Sequence, residues 1–245
     1  NLQVVRAANT GTFNAIANTT GTAVQVANRD VFQYTYLPSG ASNALGSFIA
    51  RFPGALGNSL TVSVIDAGAS SAQFGAWQIA LTNSQGQNYA NVALSGYFSG
   101  QPSTSYSTTQ VGGANDQIHI AVVDTGGLFT GTKGTVLEVF PFLSKASDAI
   151  DSTGQSNYYK NAIFNRSQYV YAIDPVNYGS TNATWGKTSA NTSFATLAGA
   201  YSFALAGGTD ATVTDGDVIT IATTSIQAQL VSSKSSGLAS IASIN

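Results

Sequence analysis

Apolar and polar residues alternate along several short stretches of the chain, and this period of two predicts β-strands. Between residues 60 and 66, Leu60, Val62 and Val64 occupy every second position. Residues 117–124 end in a continuous apolar run, so we expect a strand that is buried on both faces. Further strands are predicted at residues 1–7, 47–52, 75–81, 135–140, 168–173 and 200–205, and a hairpin is predicted at residues 23–36.

Helical spacing of apolar residues occurs in one segment. This helix is predicted to begin at Ser156 or Asn157, either of which can cap its first turn, and to end near Asn165. Polar stretches predict loops at residues 9–21, 37–46, 100–115 and 177–191, and no clear period is present from residue 218 onward. The chain is therefore predicted to have an α+β fold, a strand-dominated mixed domain of mostly antiparallel sheet with few helices.

The composition of the 245-residue chain narrows the function classes. Charged residues make up 8% of it and the net charge is −2, whereas ordinary domains have roughly 25% charged residues. No basic patch is visible, so we expect no binding of nucleic acid. No apolar run approaches the ~20 residues that a membrane-spanning helix needs, so no membrane insertion is expected. A surface of neutral polar groups is compatible with dense packing against copies of the same chain. It is equally compatible with an extracellular protein.

Two absences from the sequence bear on chemistry and processing. The chain has no cysteine, which excludes disulfides, thiolate zinc sites and cysteine nucleophiles. It also has no methionine, even at position 1, and it opens on a predicted strand. We therefore expect a fragment or a processed product of a longer protein.

The glycine-rich stretch, the histidine and one pair of aspartates are candidate sites for catalysis or ligand binding, and each favours a structural interpretation. The glycine-rich residues 126–134 follow a predicted strand but match neither the P-loop nor the dinucleotide spacing, which favours a tight surface turn. His119 is the single histidine, lies mid-strand and is interpreted as a hydrogen-bonded structural residue. Asp116 and Asp124 lie about 26 Å apart at the two ends of that strand, too far to act as a pair.

An acidic cluster near the end of the chain is the remaining metal candidate. Asp210, Asp215 and Asp217 do not have the spacing of a calcium loop, and an ordinary turn or helix cap is the better interpretation. We accordingly predict no catalytic residue, no metal site and no bound cofactor, and we expect that the protein is not an enzyme.

A turn motif connects the strand at residues 47–52 with the strand at residues 60–66. Phe52 precedes a proline and is expected to be extended. Pro53 and Gly54 predict a type II turn, in which the glycine takes positive φ. Gly57 and Asn58 form a second pair that can take left-handed geometry. These five residues are predicted to form a structural corner, and we call them the Pro-Gly corner.

Several stretches, in order along the chain, resemble the tail sheath proteins of contractile-tailed, myovirus-type bacteriophages. Within that family, the sequence most resembles the sheath proteins of cyanophages. The Pro-Gly corner and the apolar alternation after it form the most specific of these stretches. The resembling stretches are residues 1–6, 51–60, 116–124 with 131–138, 144–149 with 156–160, and 207–210. The resemblance implies that residues 1–217 are the middle, outer portion of a sheath subunit. Residues 218–245 depart from the family pattern, because they do not resemble the helix expected there.

The function implied by the resemblance is mechanical. Sheath subunits wrap the tail tube in a helical lattice that contracts after a trigger at the baseplate, and the contraction drives the tube through the host envelope. The implied partners are other copies of the chain, the tail tube and the baseplate. The implied location is the tail of the virion, after assembly in the bacterial host cytoplasm. The family's amino-terminal arm and carboxy-terminal domain, which link subunits by strand exchange, have no counterpart in this sequence.

Two other functions are compatible with parts of this pattern. An extracellular adhesin or a surface-layer domain would share the low charge, the missing cysteine and the many strands. A carbohydrate-active enzyme would need two carboxylates that converge in a cleft. With Glu138 as the single glutamate and with aspartates mostly in turns, the enzyme is the weakest of these hypotheses.

Overall fold

The computed structural model describes residues 12–17, 24–38, 46–83, 85–173 and 184–209, together with the backbone of four short strands between residues 218 and 240. The strands are β1 (Asn14–Ile16), β2 (Phe48–Pro53), β3 (Leu60–Asp66), β4 (Gln78–Thr82), β5 (Asn88–Ala93), β6 (Gln117–Asp124), β7 (Thr135–Ser144), β8 (Val170–Ala172), β9 (Tyr201–Ala204), β10 (Val218–Ile221), β11 (Ile226–Gln229), β12 (Ser232–Ser233) and β13 (Ala239–Ser240). The helices are α1 (Arg29–Val31), α2 (Ser71–Gly75), α3 (Tyr106–Gln110) and α4 (Tyr159–Arg166). Single turns of π-helix at Phe32–Tyr36 and of 3₁₀-helix at Ala55–Ser59 and Ser95–Tyr97 complete the described elements.

A four-stranded sheet with the order β7-β6-β3-β9 forms the centre of the fold. All of its pairs are antiparallel, and Val62 of β3 lies opposite Val122 of β6 on one side and Phe203 of β9 on the other. The residues of β3 are all buried, and those of β6 are buried after Gln117. The expectation of a β6 strand buried on both faces is confirmed, because protein layers cover both sides of this sheet.

Layers on the two faces of the central sheet give the fold its core. On one face, Leu60, Val62 and Val64 pack against α4 and against a second sheet with the order β1-β2-β8. On the other face, Ile65 and its neighbours on β6 pack under the segment between β3 and β6, whose largest buried side chain is Trp77. A third cluster lies on the far side of the three-stranded sheet and includes Phe32.

The described residues confirm a strand-dominated α+β fold with antiparallel sheets and short helices. The predicted strands at residues 47–52, 60–66, 75–81, 135–140, 168–173 and 200–205 correspond to β2, β3, β4, β7, β8 and β9, with shifts of a few residues at some ends. Periodicity identified them because each has one side that must be apolar to meet a neighbouring layer.

The hairpin predicted at residues 23–36 is wrong. Val24 forms an antiparallel bridge with Asn14, but the predicted second arm is the helix α1 followed by the π-helical turn. Asn28 caps α1, because its side chain accepts a hydrogen bond from the Val31 amide at 2.9 Å. The buried Phe32 ring stacks on Tyr171 with centroids 4.1 Å apart. Packing of this ring, rather than the strand propensity of residues 31–36, accounts for the local conformation.

Three smaller predictions also need correction. Residues 14–16, predicted as loop, form β1, because their side chains are buried beside β2. Residues 106–110, within the predicted loop 100–115, form α3, and Ser105 caps it. The helix predicted near residues 156–165 begins at Tyr159 without a side-chain cap, because the Asn157 amide donates to the Phe142 carbonyl instead.

The last segment of the chain contains two short antiparallel strand pairs, β10 with β11 and β12 with β13. These pairs fall in the region where no period was clear, and the backbone there is not the helix that the sheath resemblance implies next. The strand predicted at residues 1–7 lies outside the described residues, as does the acidic cluster of Asp210, Asp215 and Asp217.

Candidate functional site

The Pro-Gly corner joins the two sheets of the protein. Phe52 and Pro53 are the last residues of β2, and Gly54 follows with φ 90° and ψ −175°. The positive φ of Gly54 confirms the need for glycine, but ψ near 180° does not fit a type II turn. Residues 55–59 form a 3₁₀ turn, so Gly57 and Asn58 do not use the left-handed geometry that is open to them.

Gly57 and Asn58 have other structural roles in the corner. A Cβ on Gly57 would lie 2.7 Å from the Ala50 Cβ and 3.0 Å from the Ala15 Cβ, so glycine is required by close packing. The Asn58 amide donates to the Gly208 carbonyl and accepts from the Gly208 amide, both at 2.9 Å. The corner is therefore bonded directly to the turn that follows β9, which lies 150 residues away along the chain.

Asp124, at the end of β6, organises the glycine-rich loop. Its carboxylate accepts hydrogen bonds from the amides of Gly127, Phe129 and Thr130 at 2.9–3.0 Å and from the hydroxyl of Ser59. Burial alone would raise the pKa of Asp124, but these hydrogen bonds outweigh it and hold the pKa below its usual value. The loop amides that a phosphate would need are thus bonded to Asp124, in agreement with a structural turn.

A buried ion pair connects β3 with the loop after β7. The Lys145 Nζ lies 2.7 Å from Asp66 Oδ2, and both side chains have no exposed surface. Asp66 also accepts from the Gly68 and Leu197 amides, and Lys145 donates to the Ala195 carbonyl. Burial lowers the pKa of Lys145, although the nearby carboxylates of Asp66 and Asp116 act in the opposite direction.

The ion pair holds one further segment in place. The Trp185 ring lies 4.9 Å from the Lys145 Nζ, and its indole nitrogen donates to the Ala195 carbonyl at 2.8 Å. The segment 184–197 therefore contacts both members of the pair through its backbone or its ring. Sequence reasoning missed this pairing, because the two residues are 79 positions apart and neither belongs to a catalytic or metal-binding motif.

The remaining buried polar groups are also bonded internally. The His119 Nδ1 accepts from the Phe142 amide at 2.9 Å and its Nε2 donates to the Gly100 carbonyl at 2.8 Å, so the ring is neutral and fully bonded. Burial lowers the pKa of His119. Asp116 accepts from Ser105 and Ser144, and Glu138 accepts from Ser167 and from the amide of residue 168. The structural interpretation of His119 agrees with this geometry.

The described part of the chain brings together no group of three or more His, Cys, Asp or Glu residues that could hold a metal ion. Asp116 and Asp124 lie at opposite ends of β6 and bond to different loops. No helix among the described residues has the length and apolar character needed to cross a membrane. The arrangement that the structure presents is therefore a set of buried polar contacts that join distant segments.

Comparison with models of known protein families found no match, and comparison with curated proteins found none either.

Proposed function

We propose that this chain is the middle, outer portion of a tail sheath subunit of a contractile-tailed bacteriophage. In this function it polymerises with other copies around the tail tube, and contraction of the lattice, triggered at the baseplate, drives genome delivery. The protein acts mechanically, without a catalytic residue, a cofactor, nucleic acid or membrane insertion. Its place is the sheath of the virion, after assembly in the cytoplasm of the bacterial host.

The observation that carries the proposal is that the stretches resembling sheath protein contact one another. Within residues 51–60, Asn58 bonds to Gly208 of the later turn, and Leu60 lies opposite Asp124. Residues 131–138 bring Thr135 and Glu138 of β7 into register with β6. Residues 144–149 bond to residues 156–160, because the Ser144 amide donates to the Asn157 carbonyl at 2.9 Å. The resembling stretches between residues 51 and 209, which the structure describes, thus belong to one packed unit.

The distribution of charge supports a mechanical role. The strongest ionic contact in the described residues, between Asp66 and Lys145, is internal to the subunit. Breaking such a pair is costly, because it leaves a buried charge without a partner. Subunits with few surface charges can instead change neighbours during contraction without separating ion pairs. Stored free energy would then reside in contacts between subunits, while each subunit keeps its own shape.

The test is negative-stain electron microscopy of the full-length protein, produced alone and together with its tail tube protein. The proposal expects hollow tubes of constant diameter with helical striations in at least one of the two preparations. Discrete particles in both preparations would overturn it and would favour the extracellular adhesin or surface-layer domain. Ligand binding by a monomer would then be the property to measure.

A further inference from the structure

One continuous segment of the protein has no side chain that carries a charge near neutral pH. Residues 67–115 include no Asp, Glu, Lys, Arg or His, although the chain as a whole has 20 charged residues. The segment begins after β3, ends before β6 and contains α2, β4, β5 and α3. We call it the uncharged layer.

The uncharged layer covers one face of the central sheet. Its apolar side chains Trp77, Ile79 and Leu94 are buried against Ile65 and Ala121 of that sheet. Its other side is open, because more than half of its described residues are exposed. The two charged residues that border it in sequence, Asp66 and Asp116, are fully buried. The outer surface of this layer consequently carries neutral side chains only.

Other surfaces of the protein do carry charge. Arg29 and Asp30 are exposed beside the three-stranded sheet, Asp148 is exposed in the loop after β7, and Arg166 is exposed at the end of α4. The absence of charge is therefore a property of one layer rather than of the whole described surface. The layer spans about a fifth of the chain.

Large exposed side chains concentrate on the same layer. Seven large hydrophobic residues are exposed in the described part of the chain, and four of them belong to it. Those four are Tyr89, Tyr97, Tyr106 and Val111. Protein–protein interfaces are enriched in tyrosine and depleted of lysine, glutamate and aspartate, because burying an unpaired charge is costly. A standard interface uses about 20–30 residues on each side, which this layer can provide.

We propose that the outer surface of the uncharged layer is the face through which one subunit contacts a neighbouring copy of this chain, an inference that rests on the proposed function. A strongly charged partner would lose hydration there without gaining a counter-charge. A copy of the same chain, in which charged residues make up 8%, can bring a different patch that carries few charges. A contact between different patches of identical subunits also produces the non-closing helical assembly of a sheath.

The first experiment places a charge on this surface in the full-length protein. Tyr106 is 80% exposed at the first position of α3, where a glutamate is compatible with the helix dipole. Tyr106→Glu should raise the critical concentration for tube assembly at least tenfold, whereas Tyr106→Gln should change it less than threefold. The matched control is Tyr34→Glu, at a position that is 75% exposed outside the layer, and it should assemble like the wild type. Equal assembly of Tyr106→Glu and wild type would overturn the inference, as would an equal loss in the control.

The second experiment separates this inference from the proposed function. A photoreactive benzophenone side chain is placed at position 106 or at position 34, and the cross-linked peptides are identified by mass spectrometry. The inference expects links between two copies of the chain from position 106 and none from position 34. Such links without tubes would retain the contact surface and reject the sheath. Tubes without links from position 106, or links from it to the tail tube protein alone, would retain the sheath and reject the contact surface.

Discussion

Replacing Lys145 with methionine should destabilise the protein more than any single surface substitution. The change leaves the Asp66 carboxylate buried, with the Gly68 and Leu197 amides as its remaining donors. Removing one partner of a buried pair costs about 3–5 kcal/mol. The total stability of a domain is about 5–15 kcal/mol, so the loss is a large fraction of it. The Ala195 carbonyl also loses its bond from Lys145, which should loosen the segment 184–197.

A double-mutant cycle attributes the loss to the pair itself. Asp66→Asn alone leaves the Lys145 ammonium buried beside the Ala195 carbonyl and the Trp185 ring. The double variant with Lys145→Met removes both charges, so it should be more stable than the sum of the single losses predicts, by about 1–3 kcal/mol. Lys187→Met, at an exposed lysine nearby, is the matched control and should change stability by less than about 0.5 kcal/mol.

The assay is urea unfolding of the full-length protein, read by hydrogen exchange of the peptide that contains β3. A loss of 3 kcal/mol shifts the unfolding midpoint by about 1–2 M urea. The reasoning is refuted if Lys145→Met costs less than about 1 kcal/mol, or if the two single losses simply add in the double variant. Exchange of residues 184–197 should increase in Lys145→Met and stay unchanged in Lys187→Met.

Three further predictions concern the corner and the buried histidine, all measured by the same unfolding assay. Gly57→Ala should cost about 1–3 kcal/mol, because the new methyl group would meet Ala50 at 2.7 Å. Asn58→Ala should cost about 1–3 kcal/mol, because it removes two hydrogen bonds to Gly208. Burial lowers the pKa of His119 in the folded state, so the unfolded chain binds the proton first. Stability should therefore fall as the pH drops below about 6.5, by at most about 1.4 kcal/mol per pH unit, and His119→Gln should lack this component.

Specific outcomes would contradict each of these predictions. If the Gly57→Ala variant has the same free energy of unfolding as the wild type, β2 moves to make room for the methyl group. Wild-type stability of Asn58→Ala would mean that the two hydrogen bonds between Asn58 and Gly208 contribute nothing to stability. Identical pH profiles of wild type and His119→Gln between pH 5 and 7.5 would show that the histidine titrates alike in both states.

The hydrophobic pattern of the sequence was sufficient for the class of fold and for most of the central strands. The strands β3 and β6 were predictable because their apolar positions are set by burial in a sheet, which acts at every second residue. Gly54 was predictable for a similar local reason, since its positive φ excludes most other residues. The same local reasoning failed at residues 23–36, where the buried ring of Phe32 outweighs strand propensity.

What only the tertiary structure decided is which distant residues meet. The pairing of Asp66 with Lys145, of Asn58 with Gly208 and of Ser59 with Asp124 joins positions 65 to 150 residues apart. These residues lie at the ends of strands or in the loops between them, where hydrogen-bonding side chains are common, so nothing local marks their distant partners. The open side of the uncharged layer was equally hidden, since the sequence shows where charge is missing but not which surface is exposed. Burial depends on how the layers stack, and that arrangement is a property of the folded chain as a whole.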